Sequence, residues 1–159
     1  IAGMELEAFT TSGGLGTMCE TWQGKVETLN YKTMRYPGHC HQMNFFLNEL
    51  GMHRDREEAA RILTEACPAV REDVVYVHAA VEGRINGDLQ REEFTGQYRP
   101  MVIDGVEWRA ISWTTACSVA AVVEMVNEGQ LPDQGFIKQE EIPLAPYLAT
   151  ANGSLYQSS

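Results

Sequence analysis

The sequence lacks a basic excess, since 12 lysines and arginines stand against 22 aspartates and glutamates, for a formal net charge of −10. A chain without surplus positive charge cannot neutralise many phosphates, so we expect neither nucleic acid nor an anionic membrane as a partner. The acidic residues are mostly spread along the chain, which is typical of a solvated surface.

Cysteine is also scarce, and the four residues, Cys19, Cys40, Cys67 and Cys117, form no CxxC motif. This spacing argues against a zinc ribbon and a small disulfide-rich secreted scaffold. We therefore expect reduced thiols, a cytoplasmic location and no bound metal. No apolar run of about 18 residues predicts a membrane span, and the N-terminus lacks a signal pattern.

The length of 159 residues fits a single domain, 1–159, that buries about two thirds of its unfolded surface. The start at Ile1 instead of methionine is expected of a piece cut from a longer protein, although processing or an added tag gives the same start.

The first half predicts two strands and two helices. Loose alternation favours strands over Met4–Thr10 and Lys25–Tyr36, and Pro37 and Gly38 end the second strand. A helix then follows to Gly51, with apolar residues at helical spacing: Met43, Phe46, Leu47 and Leu50. The next helix begins after the N-cap Asp55, ends before Pro68, and has one apolar face: Ala59, Ile62, Leu63 and Ala66.

The second half predicts a meander and one more helix. Residues 74–81 are apolar on both sides, as in a central strand, and Asn86-Gly87 and Asp104-Gly105 are hairpin signals. We expect three antiparallel strands over Asp73–Trp113. A helix capped by Thr114 or Thr115 should follow to Gly129, its apolar face formed by Ala116, Val119, Ala120, Val123 and Val126. After Pro132 we expect an irregular, partly mobile tail.

Together these elements predict an α+β fold with a largely antiparallel mixed sheet that helices cover on one face.

The glycine-rich stretch TSGGLG, Thr11 to Gly16, resembles a nucleotide-binding loop only superficially. Cys19 occupies the place of the third glycine in G-x-G-x-x-G, the following segment is too short for a crossover helix, and no acid lies about 20 residues on. The remaining interpretations are a turn with positive φ at Gly13 or Gly14, or a loop whose amides and hydroxyls, from Thr10, Thr11 and Ser12, lie near a small ligand.

The stretch RYPGHCH, Arg35 to His41, holds the densest chemistry. Arg35 just before a helix N-terminus is a candidate carboxylate clamp, because the guanidinium and the free amides both favour an anion. His39 titrates near neutral pH and is a candidate proton carrier. The alternatives are that Arg35 pairs with one of the many acids and that His39 only caps the helix.

Three further residue sets favour structural roles. His39, Cys40 and His41 point to different sides of a helix and lack a fourth ligand, which argues against a metal site. A nucleophilic Cys40 depends on adjacency alone. Cys117 and His78 lie in apolar segments, so we expect a packed core thiol and a satisfied core histidine.

The segment EAFTTSGGLGTMCETWQGKVETLNYKTMRYPGH, Glu7 to His39, resembles the start of the C-terminal domain in the saccharopine dehydrogenase and L-lysine 6-dehydrogenase family. RAISWTTACSVAAVV resembles that family's TTG helix, and GFIKQEEIPLAPYL resembles its closing segment, so the resemblance covers nearly the whole chain. The combination is specific, whereas each piece alone is weak.

The resemblance implies a substrate-binding and dimerisation domain similar to the C-terminal domain of glyceraldehyde-3-phosphate dehydrogenase. It implies NAD or NADP on an N-terminal Rossmann domain outside this chain, no cofactor-binding residue within it, a small amino-acid substrate and a homodimer. It places the loop Thr10, Thr11, Ser12, Gly13 and Gly14 and the turn Arg35, Tyr36, Gly38 and His39 near the substrate, and a helix start at Thr114 and Thr115 near the other domain.

Two departures from the family pattern bear on the substrate. TTSGG stands where saccharopine reductases have an NRDS-like sequence, which favours the lysine 6-dehydrogenase branch over saccharopine as substrate, and TTA replaces TTG before Cys117. The parent enzyme would oxidise an amine carbon, and we expect the isolated chain to be inactive. The alternatives are a module that binds a small carboxylate without redox chemistry and a structural domain that pairs subunits edge to edge.

Overall fold

The computed structural model describes residues 1, 3–11 and 13–157, which fold as two compact units divided between Ala69 and Val70. Within these residues the strands form three separate antiparallel pairs, accompanied by five α-helices. The expected α+β class is therefore confirmed, and so is antiparallel pairing. In the part of the chain that the structure describes, the strands do not join into one sheet, because each strand pairs with one other strand only.

The first unit begins with a short β-ribbon. Strand β1 (Glu7–Phe9) pairs with β2 (Thr33–Arg35), and α1 (Met18–Trp22) lies between them in the chain. The predicted strands were thus longer than the observed ones. Helix α2 (His39–Asn44) continues as a π-helical turn, Phe45–Glu49, and Gly51 ends the segment with a φ of 73°. This stop is the predicted one.

Helix α3 (Arg56–Ala66) begins as predicted. The Asp55 carboxylate accepts a hydrogen bond from the Glu58 amide at 3.0 Å, which satisfies one of the free amides of the first turn. Ala59 is buried, and Ile62 and Leu63 are half-buried on the predicted apolar face, although Ala66 is exposed.

The second unit contains a long hairpin of β3 (Val75–Ile85) and β4 (Asp88–Tyr98), followed by a short one of β5 (Met101–Ile103) and β6 (Val106–Trp108). Both predicted turns are confirmed, and their first residues, Asn86 and Asp104, have positive φ. The meander prediction was wrong, because β5 pairs with β6 and not with β4. The central-strand prediction was also wrong, since most of β3 is exposed.

Helix α4 (Ala110–Asn127) is the core helix of this unit. Its buried residues are Ala110, Trp113, Cys117, Ala121 and Met125. The predicted apolar face was wrong: Val119 and Val123 are 63% and 61% exposed, because the bulky Trp113 and Met125 turn the opposite side inward. The helix begins four residues before Thr114, because Asp73 accepts hydrogen bonds from the amides of Ala110 and Ile111 at 2.7 and 2.9 Å.

By length and composition, α4 also meets the criterion for a membrane-spanning helix, with a mean hydropathy of 1.2, contrary to the expectation from the sequence. The core helix of a folded unit meets the same criterion, and Trp113 and Met125 are almost fully buried within this unit. Only 28% of the helix is buried in this unit, so burial accounts for part of its apolar composition, and one such helix is weak evidence for a membrane span.

The segment after Pro132 is not an irregular tail. It contains α5 (Leu144–Ala149) and a 3₁₀ turn, Gly153–Gln157, and it packs against α4. The ring of Tyr156, in this segment, lies 5.3 Å from that of Trp113 in α4 and 5.5 Å from that of Tyr98 in β4, between ring centroids. The residues 133–157 therefore complete the core of the second unit.

Candidate functional site

The candidate site lies on the β1–β2 ribbon of the first unit. Glu7 is directly opposite Arg35, and Phe9 is opposite Thr33. Directly opposed residues of an antiparallel pair project to the same face, with Cβ atoms about 4.5–5.5 Å apart. One face of this very short ribbon therefore carries a carboxylate, a guanidinium and an aromatic ring.

The Glu7 carboxylate holds the turn that leads into α2. One oxygen accepts a hydrogen bond from the Gly38 amide at 3.0 Å, and the other accepts one from the Cys40 amide at 2.6 Å. These hydrogen bonds, first that of Cys40 and then that of Gly38, lower the pKa of Glu7, and the nearby charge of His39 lowers it further. Glu7 is thus a carboxylate at neutral pH.

This contact changes the predicted carboxylate clamp. The amides of Gly38 and Cys40 were expected to bind a substrate anion, but Glu7 already occupies them. A second carboxylate at the same place would be repelled by the first. Of the two elements of the predicted clamp, only the Arg35 guanidinium is open to an anionic ligand.

Arg35 is exposed and donates a hydrogen bond from Nη1 to the Met34 carbonyl at 2.7 Å. Among the residues that the structure describes, it forms no ion pair with an acid. The alternative interpretation, that Arg35 forms a simple surface salt bridge, is therefore not supported. Most of the donors of the guanidinium are therefore available to a ligand.

His39 is the first residue of α2, with Gly38 at the N-cap position. Its ring lies nearly parallel to the Phe9 ring, at 18° and 6.1 Å between centroids. The backbone reaches this position through Gly38, whose φ of 92° is left-handed and therefore favours glycine. The stacking places the imidazole beside the ribbon face that carries Glu7 and Arg35.

The glycine-rich loop continues from the end of β1. The Thr11 hydroxyl lies 2.8 Å from the Thr33 hydroxyl, which ties the start of the loop to β2. Gly13 has a φ of 90°, as expected of a turn, and an added Cβ there would meet no atom within 4 Å. Thr10, Gly13 and Gly14 are exposed. Ser12, also predicted to contact the substrate, lies outside the described residues.

Tyr36 differs from the other predicted site residues. It is 67% exposed, and it lies just after the end of β2, outside the paired part of the ribbon. Its backbone has a role, because the Tyr36 carbonyl accepts a hydrogen bond from the His39 amide at 3.2 Å.

The remaining candidates lie elsewhere or have structural contacts. Cys117 is buried, as predicted, and burial raises the pKa of its thiol, so it is a poor nucleophile. His78 is not a core residue: it lies on the exposed hairpin and pairs with Glu93 at 2.7 Å. In the described part of the chain, no three His, Cys, Asp or Glu side chains are placed to hold a metal ion.

Thr114 and Thr115 lie inside α4 and not at its start. The Thr114 hydroxyl donates to the Ala110 carbonyl at 2.8 Å, one turn earlier, so it serves the helix itself. Both threonines belong to the second unit, and the ribbon belongs to the first.

The second unit has a groove of its own, of about 280 Å³, between α4 and the β5–β6 hairpin. Its lining is mostly apolar, formed by Ile103, Asp104, Val106, Trp108, Trp113, Ala116, Cys117, Ala120 and Asn152. No local pattern in the sequence predicts this groove, because the groove depends on how a short hairpin packs against a helix. Unlike the ribbon, the lining of this groove does not combine a carboxylate with a guanidinium and an imidazole.

Glu7 and Phe9 are the site residues that sequence reasoning missed. Both lie in the predicted first strand, and alternation puts them on one face. The missing information was the register with β2, which places Glu7 opposite Arg35 and leaves Phe9 near His39.

No family model matches the sequence, and no solved structure matches the fold.

Proposed function

We propose that this chain is the substrate-binding and dimerisation domain of a cytoplasmic NAD(P)-dependent oxidoreductase that oxidises an amine carbon of lysine or a related amino acid. In this proposal it belongs with the saccharopine dehydrogenase and L-lysine 6-dehydrogenase family and is similar to the C-terminal domain of glyceraldehyde-3-phosphate dehydrogenase. A separate Rossmann domain would bind NAD or NADP, which would supply the hydride acceptor.

One observation carries the proposal: Arg35, Glu7 and the His39 ring meet at one short ribbon. An amino acid carries a carboxylate, which suits the Arg35 guanidinium, because Arg35 forms no ion pair within the described residues. Arg35 binds the carboxylate through charge-assisted hydrogen bonds. In this proposal the adjacent loop residues Thr10, Thr11, Gly13 and Gly14 contact the rest of the substrate.

His39 serves as the base in this proposal. When the amine carbon gives up a hydride, the carbon–nitrogen bond becomes an imine and the nitrogen loses a proton. The imidazole accepts that proton through its unprotonated ring nitrogen, which is the usual role of histidine as a general base. Cys40 and His41, which follow, have no part in this step.

Dimerisation is supported by the exposed apolar side chains of the β3–β4 hairpin. Val77, Val81 and Phe94 lie on one face and are 43%, 67% and 54% exposed. A two-stranded hairpin of this length is only marginally stable alone, so a second subunit that covers this face would stabilise it.

Absorbance of the reduced cofactor tests the activity. The parent enzyme is mixed with NAD or NADP and either L-lysine or saccharopine. Turnover with L-lysine, together with silence from this isolated chain, is expected. Silence of the parent with both substrates, or turnover by this chain alone, contradicts the proposal.

Binding tests the role of Arg35 separately. Isothermal titration of this chain with L-lysine and with lysinamide, which lacks the carboxylate, compares the Arg35→Ala variant with a matched Arg54→Ala control. Because Arg35→Ala removes a charge-assisted contact, we expect it to weaken the binding of L-lysine roughly tenfold or more. The affinity for lysinamide is expected to stay unchanged. Equal losses for both ligands, or none, would remove Arg35 from the site.

The alternative is a module that binds a small carboxylate without redox chemistry. The observation that favours it is that Arg35 forms no ion pair with an acid in the described part of the chain. In that case L-lysine and simple carboxylates such as acetate would bind with similar affinity, and the parent protein would show no cofactor reduction.

A further inference from the structure

Glu7 connects two elements that the chain brings together from a distance. It lies on β1, and its carboxylate binds amides 31 and 33 residues later, on both sides of His39. These two hydrogen bonds fix the backbone of Gly38 and Cys40. The residue between them, His39, therefore has little freedom to move along or away from the ribbon.

The ring of His39 is held from the same strand. Phe9, two residues after Glu7 and on the same face, stacks with the imidazole at 6.1 Å. Strand β1 thus determines both where the His39 backbone lies and which way its ring faces. Exposed loops without such contacts leave a histidine ring free to rotate.

We infer that Glu7 is a positioning residue for His39: by holding the turn on both sides of His39, its carboxylate keeps the imidazole stacked against Phe9, beside the ribbon face where the substrate amine would give up its proton. This inference rests on the proposed function, but its structural half concerns the chain alone. It also explains why an acid occupies amides that would otherwise suit a substrate anion: the carboxylate of Glu7 orders the turn and leaves the substrate carboxylate to Arg35.

Nuclear magnetic resonance of the isolated chain tests the positioning without a substrate. The His39 ring protons experience the ring current of Phe9, and the Gly38 and Cys40 amides report the Glu7 hydrogen bonds. Spectra of Glu7→Ala are compared with those of Glu5→Ala, which removes an exposed acid two residues earlier. Glu7→Gln, whose side-chain oxygen retains one acceptor, serves if Glu7→Ala does not fold.

In the Glu7 variants, the His39 ring signals are expected to move toward those of an unstacked histidine, whereas Glu5→Ala leaves them in place. Glu7→Asp, which keeps the charge on a shorter side chain, is expected to restore them in part. If the Gly38 and Cys40 amides move while the His39 ring signals stay, Glu7 only caps the turn and the inference is overturned.

Kinetics of the parent enzyme give the second readout. A misplaced base lowers kcat, whereas substrate binding through Arg35 is retained, so Glu7→Gln should lower kcat roughly tenfold or more at a nearly unchanged KM. A raised KM at unchanged kcat would overturn the catalytic half. If L-lysine is not a substrate but the His39 ring still moves in Glu7→Ala, the proposed function fails while the positioning contact stands.

Discussion

Tyr156 donates a hydrogen bond from its hydroxyl to the backbone carbonyl of Thr114, 42 residues earlier in the chain. Its ring also contacts Trp113, Tyr98 and Tyr147, and burial raises the pKa of its hydroxyl. The end of the described chain is therefore part of the core of the second unit.

We expect Tyr156→Phe to cost about 1 kcal/mol of unfolding free energy or somewhat more, because it removes the hydrogen bond to the Thr114 carbonyl and keeps the ring. Tyr156→Ala should cost about 3–5 kcal/mol, because it also leaves a cavity beside Trp113. Urea unfolding measures both, followed by the fluorescence of Trp113 in a background in which Trp22 and Trp108 are replaced by Phe. Equal costs for the two variants would show that the ring packing contributes little.

Gly153 has no room for a side chain. An added Cβ would lie 1.9 Å from the Tyr147 carbonyl oxygen and 2.7 Å from the Thr150 hydroxyl. We expect Gly153→Ala to lower the unfolding free energy by about 3 kcal/mol or more, since backbone must move. Gly83 is the control, because a Cβ there meets nothing within 4 Å and its φ is not positive. A Gly153→Ala melting temperature equal to that of Gly83→Ala would contradict this packing.

The elements with local signals were predictable from the sequence. Asp55 identified the start of α3, Gly51 ended the helical segment before it, and Asn86-Gly87 and Asp104-Gly105 located two hairpins. In each case the residues that determine the structure lie within a few positions of one another, so a short stretch of sequence contains the whole cause.

The remaining elements depend on contacts between distant residues. The start of α4 requires Asp73, 37 residues before Ala110. The prediction that Thr114 or Thr115 caps the helix was therefore wrong, because both lie inside it. The order of the tail requires Tyr156 to reach α4. For the candidate site, Arg35 and His39 were predictable as reactive groups, but Glu7 gains its role only through the register of β1 with β2.

The four cysteines should differ in reactivity. Cys19, Cys40 and Cys67 are exposed, and Cys117 is buried, with a pKa that burial raises. A thiol that is both buried and protonated is a poor nucleophile. We expect three thiols to react quickly with an aromatic disulfide reagent in the folded chain and the fourth only in denaturant. Removal of Cys117 by Cys117→Ala should leave the fast phase unchanged, and a fourth fast thiol would contradict the position of α4.

The stability of the second unit should depend on pH through Glu124. Its carboxylate accepts hydrogen bonds from the Asn152 side chain and from the backbone amides of Ala151 and Asn152, and these lower its pKa, the side-chain bond most. A carboxyl group whose pKa is lower in the folded state stabilises that state at pH values above its unfolded pKa. This stabilisation is lost as the pH falls through the folded pKa, because the protonated group can no longer accept these hydrogen bonds as a carboxylate.

We therefore expect Glu124→Gln to be less stable than the native chain at pH 7, with the difference shrinking as the pH falls below the usual carboxyl range of about 4. Glu128→Gln is the control, since it removes the same charge from an exposed residue one turn later. Urea unfolding at a series of pH values measures the difference. If the unfolding free energies of Glu124→Gln and Glu128→Gln show the same pH dependence, the hydrogen bonds between Glu124 and Asn152 do not stabilise the fold. The contact between α4 and the segment around Asn152 must then depend on the aromatic rings alone.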